Sequence, residues 1–234
     1  MSATARPNDF GPDYAYVEED WRRYRSLTML DNHWDRPGWT RGRRWYYWLI
    51  TFDRDPLVHA LALRCQDGLR GLATLDFVPV GSLHVTMQRV RASEDTTPGQ
   101  LRDVVAAARS ALTGTPPLEL TVGPLAGSTG AVRLSVGPHG PVRAVREALR
   151  SAVASVYGEA SIGGDADFVP HVSVAYNNAP IPAAPVIDVV ARLRSVGTVD
   201  VVVSSLSLVE MWREQRTYVW KTIDAITLTA DREV

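Results

Sequence analysis

Two hydrophobic periods alternate along this chain. Residues 45–52 (WYYWLITF) form a β-prone apolar run, and Val58, Leu61, Ala62, Cys65 and Leu69 then recur at helical spacing up to a stop near Gly71. Residues 77–90 contain a second strand with the core LHVTMQRV. Leu101, Val104, Val105, Ala108 and Leu112 mark a second amphipathic helix, closed by Gly114 and Pro116–Pro117. The theme then repeats. Strands are expected over 118–122 and 131–136, flanking a Gly/Pro turn region, and Val142, Val145, Leu149, Ala152, Val153 and Val156 give a third helix between Pro141 and Gly158. A loop, GGDAD, leads into the strand PHVSVAY; a weaker helix covers 187–195, and two long strands, 200–212 and 217–228, close the chain. Residues 1–13 read as a frayed tail, and 14–40 are rich in aromatics and arginine without clean periodicity. Strands alternating with helices, without a nucleotide-binding glycine fingerprint, predict a mixed α/β architecture, here taken as α+β.

Within this pattern one segment occurs twice. Leu83-His84-Val85-Thr86-Met87 and Pro170-His171-Val172-Ser173-Val174 share the pattern His-Val-(Thr/Ser)-apolar, 87 residues apart, each on a strand that follows a helix-containing unit. Two related, pseudo-symmetric β-sheet lobes with flanking helices are therefore expected. Alternation puts residues i and i+2 on one strand face, about 6.5–7 Å apart. His84, Thr86 and Gln88 are expected on one face of the first strand, His171 and Ser173 on one face of the second, with the aliphatic residues opposite. If the lobes bring these faces together, the cleft holds two imidazoles and two hydroxyls.

That set suits metal-free phosphoryl transfer. A neutral imidazole takes a proton from the attacking oxygen, a protonated one gives a proton to the leaving oxygen, and both fit near neutral pH. The hydroxyls of Thr86 and Ser173 are placed to donate to non-bridging phosphoryl oxygens. The pattern is the same whichever histidine is base and in whichever direction the reaction runs.

The paired motifs, at this separation, resemble those of the 2H phosphoesterase superfamily, most closely its LigT-like branch of 2′-5′ RNA ligases and cyclic phosphodiesterases. The likeness runs from about Trp45 to the end, including SLSLVEMWREQRTYVW, and His33-Trp34 with RPGW at 36–39 resembles the opening of a bacterial subgroup. The resemblance implies a bilobal fold with a central cleft, no metal or other cofactor, and cleavage of 2′,3′-cyclic phosphates or related phosphodiesters on a nucleotide or RNA end. Its motif histidines fall on His84 and His171 and its hydroxyls on Thr86 and Ser173. Reverse action would join RNA ends through a 2′-5′ bond. Two alternatives stay open: a nucleotide- or RNA-binding module without turnover, and a phosphodiesterase for an ADP-ribose cyclic phosphate.

Charge adds an N-terminal feature. The net charge is −1, which argues against bulk duplex DNA binding, yet residues 22–44 hold seven arginines against two aspartates, and five of the seven tryptophans fall in the first 48 residues. Residues 1–42 are expected to form an Arg/Trp-rich arm on a single catalytic domain, 43–234. The arm either supplies substrate contacts, with His33, Trp34, Trp39 and Arg43 as candidates beside Tyr176, or covers a sheet edge with its arginines solvated. Tyr176 and Arg89 lie off the histidine faces by alternation, so Tyr176 belongs to the core unless a bulge re-aims it. Tyr218 and Trp220 share a strand face that either lines the cleft or packs in the core, with the core favoured. Asp165 and Asp167 read as a solvated loop, His59 and His139 as structural or exposed, and Gly127-Ser128-Thr129-Gly130 lacks the lysine of a phosphate loop. The lone Cys65 excludes a disulfide framework and reads as a buried, inert thiol. No run approaches a membrane span, and the N-terminus has no apolar stretch for a signal peptide, so a cytoplasmic monomer is expected.

Overall fold

The computed structural model of this chain describes residues 14–35, 38–40, 42–162 and 168–230. Helix α1 (Tyr14–Arg25) and the short strand β1 (Met29–Leu30) precede β2 (Trp45–Thr51). Helix α2 (Pro56–Leu69) starts where Asp55 accepts from the Leu57 and Val58 amides and Pro56 fixes the first turn. Strands β3 (Leu75–Phe77) and β4 (His84–Ala92) lead to α3 (Pro98–Ala111), opened by a reciprocal Thr97–Gln100 capping box. There follow β5 (Leu118–Ser128), β6 (Ala131–Gly137), α4 (His139–Tyr157), β7 (His171–Asn177), β8 (Ile181–Pro182), α5 (Ala184–Leu193), β9 (Val199–Val203), β10 (Ser205–Glu214) and β11 (Thr217–Thr227).

The strands build two main antiparallel sheets, ordered β11-β10-β2-β4 and β3-β7-β6-β5-β9, with β1 pairing β8 apart from them. The α+β class is thus as expected. Helices α3 and α4 pack together over the four-stranded sheet, with α4 against β4; α2 and α5 pack on the five-stranded sheet, with α2 against β7. Each sheet is thereby covered in part by a helix from the other half of the chain, and the two motif strands β4 and β7 lie in contact where the sheets meet. Cys65 is fully buried under α2, and burial pushes its thiol up to about 12.

Four boundaries differ from the sequence pattern. The expected Gly/Pro turn is instead strand: β5 runs on to Ser128, and a register shift between Val122 and Leu125 absorbs Gly123 and Pro124. The expected strand 200–212 breaks at Ser204 because the chain changes sheets there: β9 pairs Leu118–Val122, whereas β10 pairs β2 and β11. Helix α5 starts at Ala184, earlier than expected. Helix α1 was not expected at all; its buried positions are Val17, Asp20 and Tyr24, so a carboxylate interrupts the apolar period. Because β9 stops pairing at Val122, the rest of β5 has no strand beyond it, and α1 packs there with the Tyr24 ring against Gly127. Arg22 and Arg23 point to solvent and pair with Glu19.

Both motif strands are bulged at the same place. Leu49 pairs with Thr86 but Trp48 with Gln88, leaving Met87 extra in β4. Arg133 pairs with Ser173 but Val132 with Ala175, leaving Val174 extra in β7. Each extra residue flips the faces of the residues after it in its strand. A buried glutamine holds each bulge: Gln66 of α2 donates to the carbonyls of Val78 (2.7 Å) and Val174 (2.9 Å), and Gln88 donates to that of Arg89 (2.6 Å).

Replacing Gln66 by Leu strands the Val78 carbonyl and removes one donor from Val174; we expect a loss of about 1–3 kcal/mol in urea unfolding. A Cβ at Gly127 would overlap the Tyr24 ring, so Gly127→Ala is expected to cost about 1–3 kcal/mol. Gly140→Ala meets open space and serves as the control, unchanged or slightly stabilised in the same urea series.

Candidate active site

His84 and His171 each open a strand, and each ring is held in the same way. His84 Nδ1 lies 2.8 Å from the Ser82 carbonyl and His171 Nδ1 lies 2.7 Å from the Val169 carbonyl, in both cases two residues upstream. A carbonyl only accepts, so Nδ1 carries the hydrogen and, in the neutral ring, Nε2 carries the lone pair. Burial favours the neutral form of His84 and lowers its pKa, while the Ser82 carbonyl acts in the opposite sense. Trp220 meets the His84 ring edge-on at 5.3 Å.

Both histidines, Thr86 and Ser173 line one cleft of about 640 Å³ between the two sheets. Tyr176 lines it too: the Val174 bulge returns it to the face of Ser173, overriding the alternation that assigned it to the core. Arg89 is the counterpart in β4. The Met87 bulge puts it opposite Tyr47 on the cleft face, the reverse of what alternation predicts, while Gln88, though buried, lines the cleft as expected and accepts from Arg146 (3.2 Å).

The N-terminal segment divides. His33 is buried in the cleft wall, stacked on Tyr176 at 3.9 Å with its Nε2 3.0 Å from the Tyr218 hydroxyl, and Trp39 also lines the cleft. Trp34 stands behind this layer, edge-on to Tyr176, with its indole donating to Asp76 (2.8 Å). The structure does not bring Arg43 to the cleft: it pairs with Glu94 (3.1 Å) and lies over Trp45. Tyr218, whose strand face favours the core, lines the cleft and accepts from Arg213 (2.8 Å), whose guanidinium spans Trp34, Trp39 and Tyr218. Sequence reading also passed over Arg133 and Arg146, which reach the cleft from β6 and α4; Arg146 lies over Phe168, three residues before His171. A strand arginine directly across from a motif hydroxyl is a signal only once the register is known.

Among the described residues that line the cleft none is acidic, so its charge is cationic. No group of three or more His, Cys, Asp or Glu side chains is placed to hold a metal among the described residues, and Asp165 and Asp167 lie outside them. His59 bonds the Phe52 carbonyl (2.6 Å), and His139 stacks on Tyr16 at 4.9 Å; both are structural. No helix among the described residues is long and apolar enough to cross a membrane.

This arrangement has known relatives. The fold is shared with TT0787 of Thermus thermophilus (TM-score 0.62, 20% identity, covering 80% of this chain and 100% of that one). It is shared equally with E. coli LigT in its apo form (TM-score 0.58, 13% identity, 80% and 98% covered) and complexed with 3′-AMP (TM-score 0.56, 13% identity, 80% and 98% covered). No curated protein matches the chain in sequence. The sequence profile of the 2′-5′ RNA ligase superfamily matches residues 62–214, which include both histidine motifs. The chain belongs to the 2′-5′ RNA ligase superfamily.

Proposed function

We propose that this protein opens a 2′,3′-cyclic phosphate, or a related phosphodiester on a nucleotide or RNA end, by acid–base catalysis between His84 and His171. The observation that carries the reading is the matched pair of Nδ1–carbonyl contacts, which leaves Nε2 of each ring as the proton-transferring atom in one cationic cleft. The complex of E. coli LigT with 3′-AMP supports a nucleotide substrate. Cytoplasmic action as a monomer remains part of the proposal.

His84, kept neutral by burial, serves as the base. Its Nε2 takes a proton from water as the water oxygen bonds to phosphorus. The bond from phosphorus to one ribose oxygen breaks, and Nε2–H of a protonated His171 delivers the proton to that oxygen. Thr86 and Ser173 donate to the non-bridging oxygens, where charge accumulates. With a ribose hydroxyl in place of water, the same groups would join two ends: the base takes the hydroxyl proton as its oxygen bonds to phosphorus, and the acid protonates the ribose oxygen freed by ring opening.

His84→Ala and His171→Ala are each expected to lower kcat on 2′,3′-cyclic mononucleotides by about 10²–10⁴-fold with the fold intact by circular dichroism. Phosphorus NMR of the product identifies the bond broken; undiminished turnover in either variant refutes the two-histidine mechanism. Since the base must be unprotonated, activity falls as pH drops through the pKa of His84. The acidic limb of kcat/KM is therefore expected below the ordinary imidazole value near 6.5. A limb at or above that value would move the base role away from His84.

A further inference from the structure

Arg133 stands opposite Ser173 in the β6–β7 ladder, so both side chains leave the sheet on the cleft face. On its other side it faces Ala126 of β5, whose methyl leaves room for the guanidinium to cross the strand and meet Asp20 of α1. The two side chains are only 12% and 6% exposed. Even so, the pair is incompletely satisfied: Asp20 Oδ2 and Arg133 Nε are buried without a hydrogen bond among the described residues. A buried ion pair with orphaned atoms is a poor stabiliser, often matched by apolar residues of the same volume, so stability alone does not account for it.

Geometry offers a better account. A guanidinium carries five donors in one rigid plane, and contact with Asp20 through Nη2 fixes that plane. The carboxylate itself is held, because α1 is docked by Tyr24 on Gly127 and by Glu18, which accepts from Arg194 (3.0 Å). A long side chain fixed in advance loses less freedom when it takes up a ligand.

We propose that Arg133 binds an anionic oxygen of the substrate beside Ser173, and that Asp20 is the positioning residue that sets its guanidinium. The N-terminal helix then helps to hold the phosphoryl group without touching it. The inference rests on the phosphoesterase reading for the identity of the anion, and its test does not.

Inorganic phosphate is titrated calorimetrically into the full chain and its variants. Arg133→Gln is expected to weaken phosphate binding on the order of 10–100-fold, and Asp20→Asn by a smaller factor that Asp20→Glu restores in part. On the Arg133→Gln background, Asp20→Asn is expected to have no further effect, because its action passes through the arginine. With a 2′,3′-cyclic mononucleotide, kcat/KM is expected to fall by the same factors. If Arg133→Gln does not fold, Arg133→Lys, which keeps the charge and loses the fork, reads the same contact.

Variants that melt earlier yet bind phosphate like the wild type overturn the inference, as does an Asp20→Asn effect that persists without Arg133. Turnover indifferent to Arg133→Gln also overturns it and leaves the phosphoesterase reading standing. Phosphate binding that depends on both residues, in a protein that turns over no cyclic phosphate, upholds the inference and overturns that reading.

Discussion

The side-chain amide of Gln66 holds two backbone carbonyls that are far apart in sequence, those of Val78, just past β3, and Val174 in β7. Val174 is the extra residue in β7, and its carbonyl also accepts from the Val78 amide (3.0 Å), so this one point fixes the bulge and seats the first half of the chain on the second. Everything beyond the bulge depends on it. Tyr176 faces the cleft because of the added residue, His33 is stacked on Tyr176, and the 31–33 backbone is tied to β7 through Asn177 and to the β5–β6 turn through Thr129. In β4 a glutamine again satisfies a carbonyl next to the bulge, but from within the strand. Two unrelated local solutions thus preserve one geometry.

Symmetry of the motifs ends at the paired histidines and hydroxyls. Five residues after each motif histidine the cleft receives Arg89 from one strand and Tyr176 from the other. His84 has the aromatic side, with Trp220 on its ring and Tyr176 and Tyr218 close by. His171 follows Phe168, which carries Arg146. An aromatic wall favours a planar base, and a cationic one favours further anionic oxygens, so a nucleotide would not sit equally well in both orientations. Two chemically similar imidazoles are thereby made inequivalent by their surroundings.

Much of this was legible in the sequence because it rests on simple periods. Apolar spacing located α2, α3 and α4, and period-two alternation identified the histidine faces of β4 and β7 as far as Thr86 and Ser173. The same alternation failed one residue later, at Met87 and Val174, since nothing in an apolar residue marks it as the extra one in a ladder. Helix α1 escaped notice because Asp20 occupies an inward position; an ion pair replaces an apolar contact there, and its partner is 113 residues away. The break at Ser204 escaped because β9 and β10 are both good strands, and only tertiary pairing sends them to different sheets.

That change of sheet governs the order in which the molecule can assemble. Strand β2 pairs on one side with β4, close in sequence, but on the other with β10, where Leu49 meets Ser207. The apolar run of β2 therefore keeps one open edge until β10 has been synthesised. Long-range closure of this kind is slow, and an uncovered apolar strand is the feature through which chains associate wrongly. A nascent chain released before β10 is made would hold both motif histidines and still be aggregation-prone, so folding yield in the cell depends on a strand that supplies neither motif.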